Sequence, residues 1–112
     1  GPIGRNQGIQ FPLARAHAET EAAELMARKA AALFDAGRPC GAEANMAKLL
    51  CGDAAWHAAE ACMQTFGGFA FAREYDIERK WREARLYLTA PVSTNLVLGF
   101  IGQHVMGLPK SY

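Results

Sequence analysis

Gln64-Thr65-Phe66-Gly67-Gly68-Phe69-Ala70-Phe71-Ala72-Arg73-Glu74-Tyr75 decides how this chain folds, because it separates two unlike helices. Before it lies a long alanine-rich segment; after it, Asp76 opens a short and highly charged one. Gly67 and Gly68 lack Cβ atoms and can take positive φ, so the long helix can end abruptly. The same property lets a ligand approach exposed backbone amides at the turn. Taken alone, however, paired glycines after a helix read as nothing more than a C-cap.

Upstream of the turn, residues 42–66 read as one helix. Met46, Leu49, Trp56, Ala59, Met63 and Phe66 recur at helical spacing and form a core stripe. Asp53 shares that face and reads as a rim or hydrogen-bonded residue. His57 faces away from it, and no second ligand is suitably placed for a metal. Residues 11–34 form an earlier helix, with Pro12 in its first turn, where a missing N–H costs nothing. Its expected stripe is Ala18, Ala22, Met26, Ala30 and Leu33. Glu24 and Arg28 lie off the stripe at the supportive i,i+4 spacing. His17 reads as a surface or interface histidine, and Gly37 and Pro39 stop the helix.

Downstream, Asp76 is a good N-cap for a helix reaching about residue 87. Ile77, Trp81, Ala84 and Leu88 point one way. Arg73, Arg79, Arg82 and Arg85 can bind an anion; a salt-bridged surface with Glu78 and Glu83 explains them equally well. Pro91 breaks the chain, and Ser93 or Thr94 caps a fourth helix. Its expected buried face is Leu96, Val97, Phe100, Ile101 and Val105, with Gly99 and Gly102 permitting close backbone contact. Gly107 and Pro109 end it before a Lys110-Ser111-Tyr112 tail. Four helices, short connections and no strand signal predict an all-α, antiparallel, up-and-down four-helix bundle.

Composition narrows the function classes. The chain has 112 residues, enough for one domain with a modest core. Twelve basic and eleven acidic side chains leave a formal charge of +1, too balanced to point to nucleic acid or a membrane surface. No apolar run approaches the roughly 18 residues of a membrane span. No signal-peptide pattern opens the chain. Cys40, Cys51 and Cys62 fit neither a metal spacing nor an even disulfide framework. They read as small buried hydrophobes in a reduced, cytoplasmic protein. The residues alone contain no nucleophile–base pair, metal cluster or phosphate-binding loop, and by themselves support only a helical interaction domain.

The combined pattern resembles a known family. Met63-Gln64-Thr65-Phe66-Gly67-Gly68-Phe69, Arg73-Glu74-Tyr75-Asp76-Ile77-Glu78-Arg79 and Trp81-Arg82-Glu83-Ala84-Arg85 are similar to the signature of acyl-CoA dehydrogenases. Gln7-Gly8-Ile9-Gln10-Phe11-Pro12-Leu13-Ala14 and Ala44-Asn45-Met46-Ala47-Lys48-Leu49 resemble the earlier helices of that family's C-terminal domain. The likeness spans essentially the whole chain but only the last third of such an enzyme; the N-terminal helical and middle β domains are absent.

The resemblance implies an FAD-dependent oxidoreductase that removes hydrogens from Cα and Cβ of an acyl-CoA thioester and passes electrons to an electron-transfer flavoprotein. It implies a homo-oligomer, a dimer or tetramer, with this domain in the subunit interface. Gln64, Gly67 and Gly68 then contact the adenosine diphosphate part of FAD on a neighbouring subunit. Ser93, Thr94 and Asn95 approach the flavin of their own subunit. The usual catalytic glutamate position falls on Pro91, which cannot accept a proton, so the fragment is expected to be inactive alone. The competing expectation is a free-standing helical oligomerisation or adaptor module.

Overall fold

The computed structural model describes residues 1–111. Among them are four α-helices and no strand: α1 (Gln7–Asp35), α2 (Gly41–Phe66), α3 (Ile77–Leu86) and α4 (Thr94–Phe100). A π-helical turn, Ile101–Val105, prolongs α4, and short 3-10 turns cover Gly67–Phe71 and Arg73–Tyr75. The all-α reading therefore holds. Tyr112 lies outside the described residues.

α2 is the spine on which the other three helices pack. On one side it meets α1 through alanine. Ala16 and Ala23 are buried on α1, and Ala47, Ala54 and Ala61 are buried on α2. Each set repeats every seven residues, so a narrow stripe of small side chains lets the axes approach closely. The helices run antiparallel, as three points along their length show. Ala16 and Ala61 line one groove, Glu19 reaches His57 across 2.8 Å, and Cys51 Sγ lies 3.7 Å from the Ala23 carbonyl.

The other side of α2 is aromatic. Trp56 and Trp81 stack with ring centroids 5.3 Å apart, and Trp81 Nε1 donates to Glu60 at 2.6 Å. Arg85 lies over the Trp56 ring at 5.8 Å, completing the α2–α3 contact. Gly52 is buried where the chain leaves α3. A Cβ there would stand 3.3 Å from the Tyr87 carbonyl oxygen, so glycine permits the turn to come that close. α4 packs nearer the start of α2, where Phe100 faces Gly41.

Several details differ from expectation, each for a local reason. α1 starts at Gln7, not at residue 11, so Pro12 sits inside it and Gly8 lacks its usual backbone donor. Asn6 opens the helix through its carbonyl, which accepts from Ile9 and Gln10 N–H at 3.0 Å, without a side-chain cap. Ala18 and Ala22 are exposed, and Ala16 and Ala23 replace them in the contact. Phe66 is exposed at the end of α2, against the Tyr75 ring at 5.7 Å. Leu96 and Val105 are exposed as well; only Val97 of the fourth helix is fully buried. Gly99 faces open space rather than another backbone. Cys51 is exposed, while Cys40 and Cys62 are half-buried, and all three are free thiols.

Asp76 departs from the expected cap geometry. It sits in the left-handed region at φ 62°, and its side chain does not cap α3. Its carboxylate instead accepts from Arg79 at 3.1 and 3.2 Å. Ser93 is the residue that caps α4, accepting from Leu96 N–H at 3.4 Å.

Candidate functional site

The glycine turn forms as its composition dictates. Gly67 closes α2 at φ 58° and ψ −135°, a backbone region that is almost exclusive to glycine. Its N–H is already committed to the Met63 carbonyl, so it is not the free amide that the sequence led us to expect. Gly68 does not need positive φ, and a Cβ there would meet nothing within 4 Å. What Gly68 provides is therefore open space beside the backbone. Gln64 is exposed one turn earlier, and its amide makes no hydrogen bond within the described chain.

Gln64 also ends a groove of about 380 Å³ between α1 and α2, lined by Pro12, Arg15, Glu19, His57 and Glu60 among others. Two of its acids are engaged: Glu19 with His57 at 2.8 Å, and Glu60 with the Trp81 indole. Arg15 has no partner among the described residues. No motif in the sequence marks Arg15, since only the packing of α1 on α2 brings it beside Gln64.

Ser93, Thr94 and Asn95 occupy a different place. Thr94 N–H and hydroxyl both donate to the Leu88 carbonyl, at 3.1 and 2.8 Å, and Leu88 lies against Gly52. Gly52 and Gln64 are twelve positions apart on α2, roughly 18 Å along the axis. The two sets of residues are thus separate sites on one helix. The Ser93 hydroxyl caps α4 and the Thr94 hydroxyl ties its start to Leu88, whereas Asn95 is exposed and lines a groove shared with Phe100, Gln103 and His104. Pro91 is exposed at the turn just before them.

Two of the three arginines of α3 are paired with carboxylates, and the third, Arg85, lies on Trp56. Arg79 pairs with Asp76 and, at 3.1 Å, with Glu83; Arg82 pairs with Glu78 at 2.8 Å. Hydrogen bonds from the guanidinium groups hold the Asp76 and Glu78 carboxyls below their usual range and raise both arginines. The salt-bridged reading therefore holds for Arg79 and Arg82, while Arg73 and Arg85 form no salt bridge among the described residues. His17 lies exposed, 3.9 Å from Glu21. Among the described residues no group of three His, Cys, Asp or Glu is arranged to hold a metal, and no helix is long and apolar enough to cross a membrane.

Comparison with known proteins places this geometry. The family model described as "Acyl-CoA dehydrogenase, C-terminal domain" matches residues 1–106. An acyl-CoA dehydrogenase of Mycobacterium tuberculosis is 43% identical over 113 residues, covering 99% of this chain and 29% of that protein. An acyl-CoA dehydrogenase of Bacillus subtilis is 42% identical over 85 residues, covering 76% of this chain and 22% of that protein. The short/branched chain specific acyl-CoA dehydrogenase of Rattus norvegicus, a mitochondrial protein, is 32% identical over 99 residues, covering 88% of this chain and 23% of that protein. The chain thus spans less than a third of the length of these relatives.

Proposed function

Because this chain belongs to the acyl-CoA dehydrogenase family, whose C-terminal domain it matches, we propose that it is the cofactor-contacting and subunit-joining part of an FAD-dependent acyl-CoA dehydrogenase. The observation that carries the reading is the Gln64–Gly68 turn. An unengaged side-chain amide stands beside a glycine whose missing Cβ leaves open space, at the end of a groove.

The donor chemistry of that turn fits the adenosine diphosphate half of FAD. Gln64 can donate to and accept from ribose or phosphate oxygens. Gly68 admits such a group close to the main chain, and Gly67 holds the turn in the conformation that presents both. At the second place, Asn95 is the side chain available to the isoalloxazine end, with Ser93 and Thr94 fixing its position. In this reading the two places, about 18 Å apart along α2, serve the cofactors of two subunits. Bound flavin would supply the hydride acceptor for the oxidation of an acyl-CoA. Pro91 has no basic group, so the carboxylate that removes the α-proton comes from another part of the whole enzyme. An electron-transfer flavoprotein is the proposed oxidant of the reduced enzyme.

The test is the mass and visible spectrum of the protein purified from its natural source. A chain about three times as long as this one, carrying the absorption bands of oxidised flavin and oxidising acyl-CoA, is expected. A colourless species with the mass of this chain alone would overturn the enzyme reading in favour of a free-standing helical module.

A further inference from the structure

We propose that Lys48 is a positioning residue for the flavin place at Asn95: its ammonium holds the turn between α3 and α4 against α2. The inference rests on the reading that Asn95 meets the isoalloxazine end of FAD.

The end of α3 explains why a lysine is needed there. The carbonyls of Ala84, Arg85 and Leu86 each accept from a backbone N–H that follows, and the Leu88 carbonyl accepts from Thr94. The Tyr87 carbonyl is different. The residue four positions on is Pro91, which has no N–H to give. Lys48 Nζ, reaching across from α2, donates to the Tyr87 carbonyl instead. A cation suits this position, because the last carbonyls of a helix carry partial negative charge.

Gly52 completes the seat. It lies four residues after Lys48, on the same face of α2. A Cβ there would stand 3.3 Å from the Tyr87 oxygen and 3.4 Å from Leu88 Cδ2. α2 thus offers a donor at one turn and room at the next. The grip passes to α4 through a single peptide unit. Lys48 holds the Tyr87 carbonyl, and the next carbonyl, that of Leu88, accepts from the N–H and the hydroxyl of Thr94 at 3.1 and 2.8 Å. Thr94 is the first residue of α4 and Asn95 the second. Lys48 therefore sets where α4 begins without touching the cofactor itself.

The experiment uses the full-length enzyme with Lys48→Met, Lys48→Arg, Gly52→Ala and Asn95→Ala. The long-wavelength band of bound flavin, FAD affinity by fluorescence quenching and thermal unfolding of the flavin-free forms are recorded for each. Lys48→Met keeps the aliphatic stem and removes the donor. It should shift the band in the same direction as Asn95→Ala and weaken FAD binding about tenfold. Lys48→Arg can still donate, and should bring the band back towards its parent position. Gly52→Ala keeps the ammonium but crowds its acceptor, and should shift the band as well. Where Lys48→Met does not fold, a parent-like band in Gly52→Ala overturns the inference. If Asn95→Ala shifts the band and Lys48→Met does not, Lys48 serves the fold alone; the inference fails and the flavin reading stands. If neither shifts it, the reading of this place fails and Lys48 with it. A shift in Lys48→Met without one in Asn95→Ala would mean that Lys48 acts otherwise than through Asn95, and would overturn the inference.

Discussion

Gly67 and Gly68 are adjacent, yet the backbone asks different things of them. Gly67 is held at φ 58° and ψ −135°, where any Cβ is strained, whereas Gly68 has an ordinary φ and open space around it. Gly67→Ala should therefore cost about 1–3 kcal/mol of stability, seen as a lower melting temperature. Gly68→Ala should melt like the parent chain but weaken flavin binding in the whole enzyme. Equal melting losses in the two variants would contradict this division of labour. Asp76 makes a pH prediction at the same scale. Its folded pKa lies below its ordinary value of 3.8, chiefly through the hydrogen bond from Arg79. The pair thus contributes above that value and is lost as pH falls through the lower, folded one. Below about pH 4 the protection of the Ile77–Leu86 amides, taken relative to the intrinsic exchange rate at each pH, should fall, and Asp76→Asn should make that fall smaller, leaving the part that belongs to the Glu78–Arg82 pair. Protection in the asparagine variant that falls with acid as steeply as in the parent chain would rule the pair out as a cause.

Between elements, the α2–α3 contact rests on one side chain more than any other. Trp81 supplies the ring against Trp56 and the donor to Glu60. Trp81→Ala removes both and should cost about 3 kcal/mol, the lower end for a large-to-small aromatic change because the ring is only half-buried. Trp81→Phe keeps the stacking but not the donor, so it should cost clearly less. Chemical denaturation of both variants decides, and an equal loss in the two would assign the stabilisation to the hydrogen bond alone. The stripe containing Trp81 was legible in the sequence because Ile77, Trp81, Ala84 and Leu88 differ sharply from the charged residues between them. α1 was not so legible. Alanines stand at so many of its positions that several helical stripes fit, and packing on Ala54 and Ala61 selects the one through Ala16 and Ala23. Its start was hidden for a related reason: Asn6 opens the helix without a side-chain cap, and Pro12 drew the expected boundary inward. The glycine turn was readable because glycine is the residue that such a turn needs. Arg15 was not, since its neighbour Gln64 is distant in sequence and close only through the α1–α2 register.

The whole molecule exposes more than a protein of its size should. Its accessible surface is 8070 Å², against about 6,000 Å² for a compact monomer of 12.1 kDa. Its radius of gyration is 16.9 Å, against about 13 Å for a compact chain of this length. The cause is visible in the core: among the described residues, seven of the eight buried apolar side chains are alanine, and only Val97 is larger. The large apolar residues lie outside, among them Phe11, Leu25, Phe34, Phe69, Phe71, Leu96 and Met106. Scattered apolar residues are normal on a surface, but an excess of roughly 2,000 Å² on one chain is more than twice the ~800 Å² that each partner buries in a standard protein interface. Alanine packing aligns the helices without hiding these side chains, so covering them with other protein surface would stabilise the chain. The 112-residue chain on its own should therefore self-associate, with sedimentation giving a mass above 12.1 kDa that grows with concentration. Leu25→Lys and Phe34→Lys, which place charge on exposed positions of α1, should lower that mass with little change in melting temperature. A strict monomer at high concentration would mean that the exposed residues need no cover, and that the elongated helical layer is stable in water by itself.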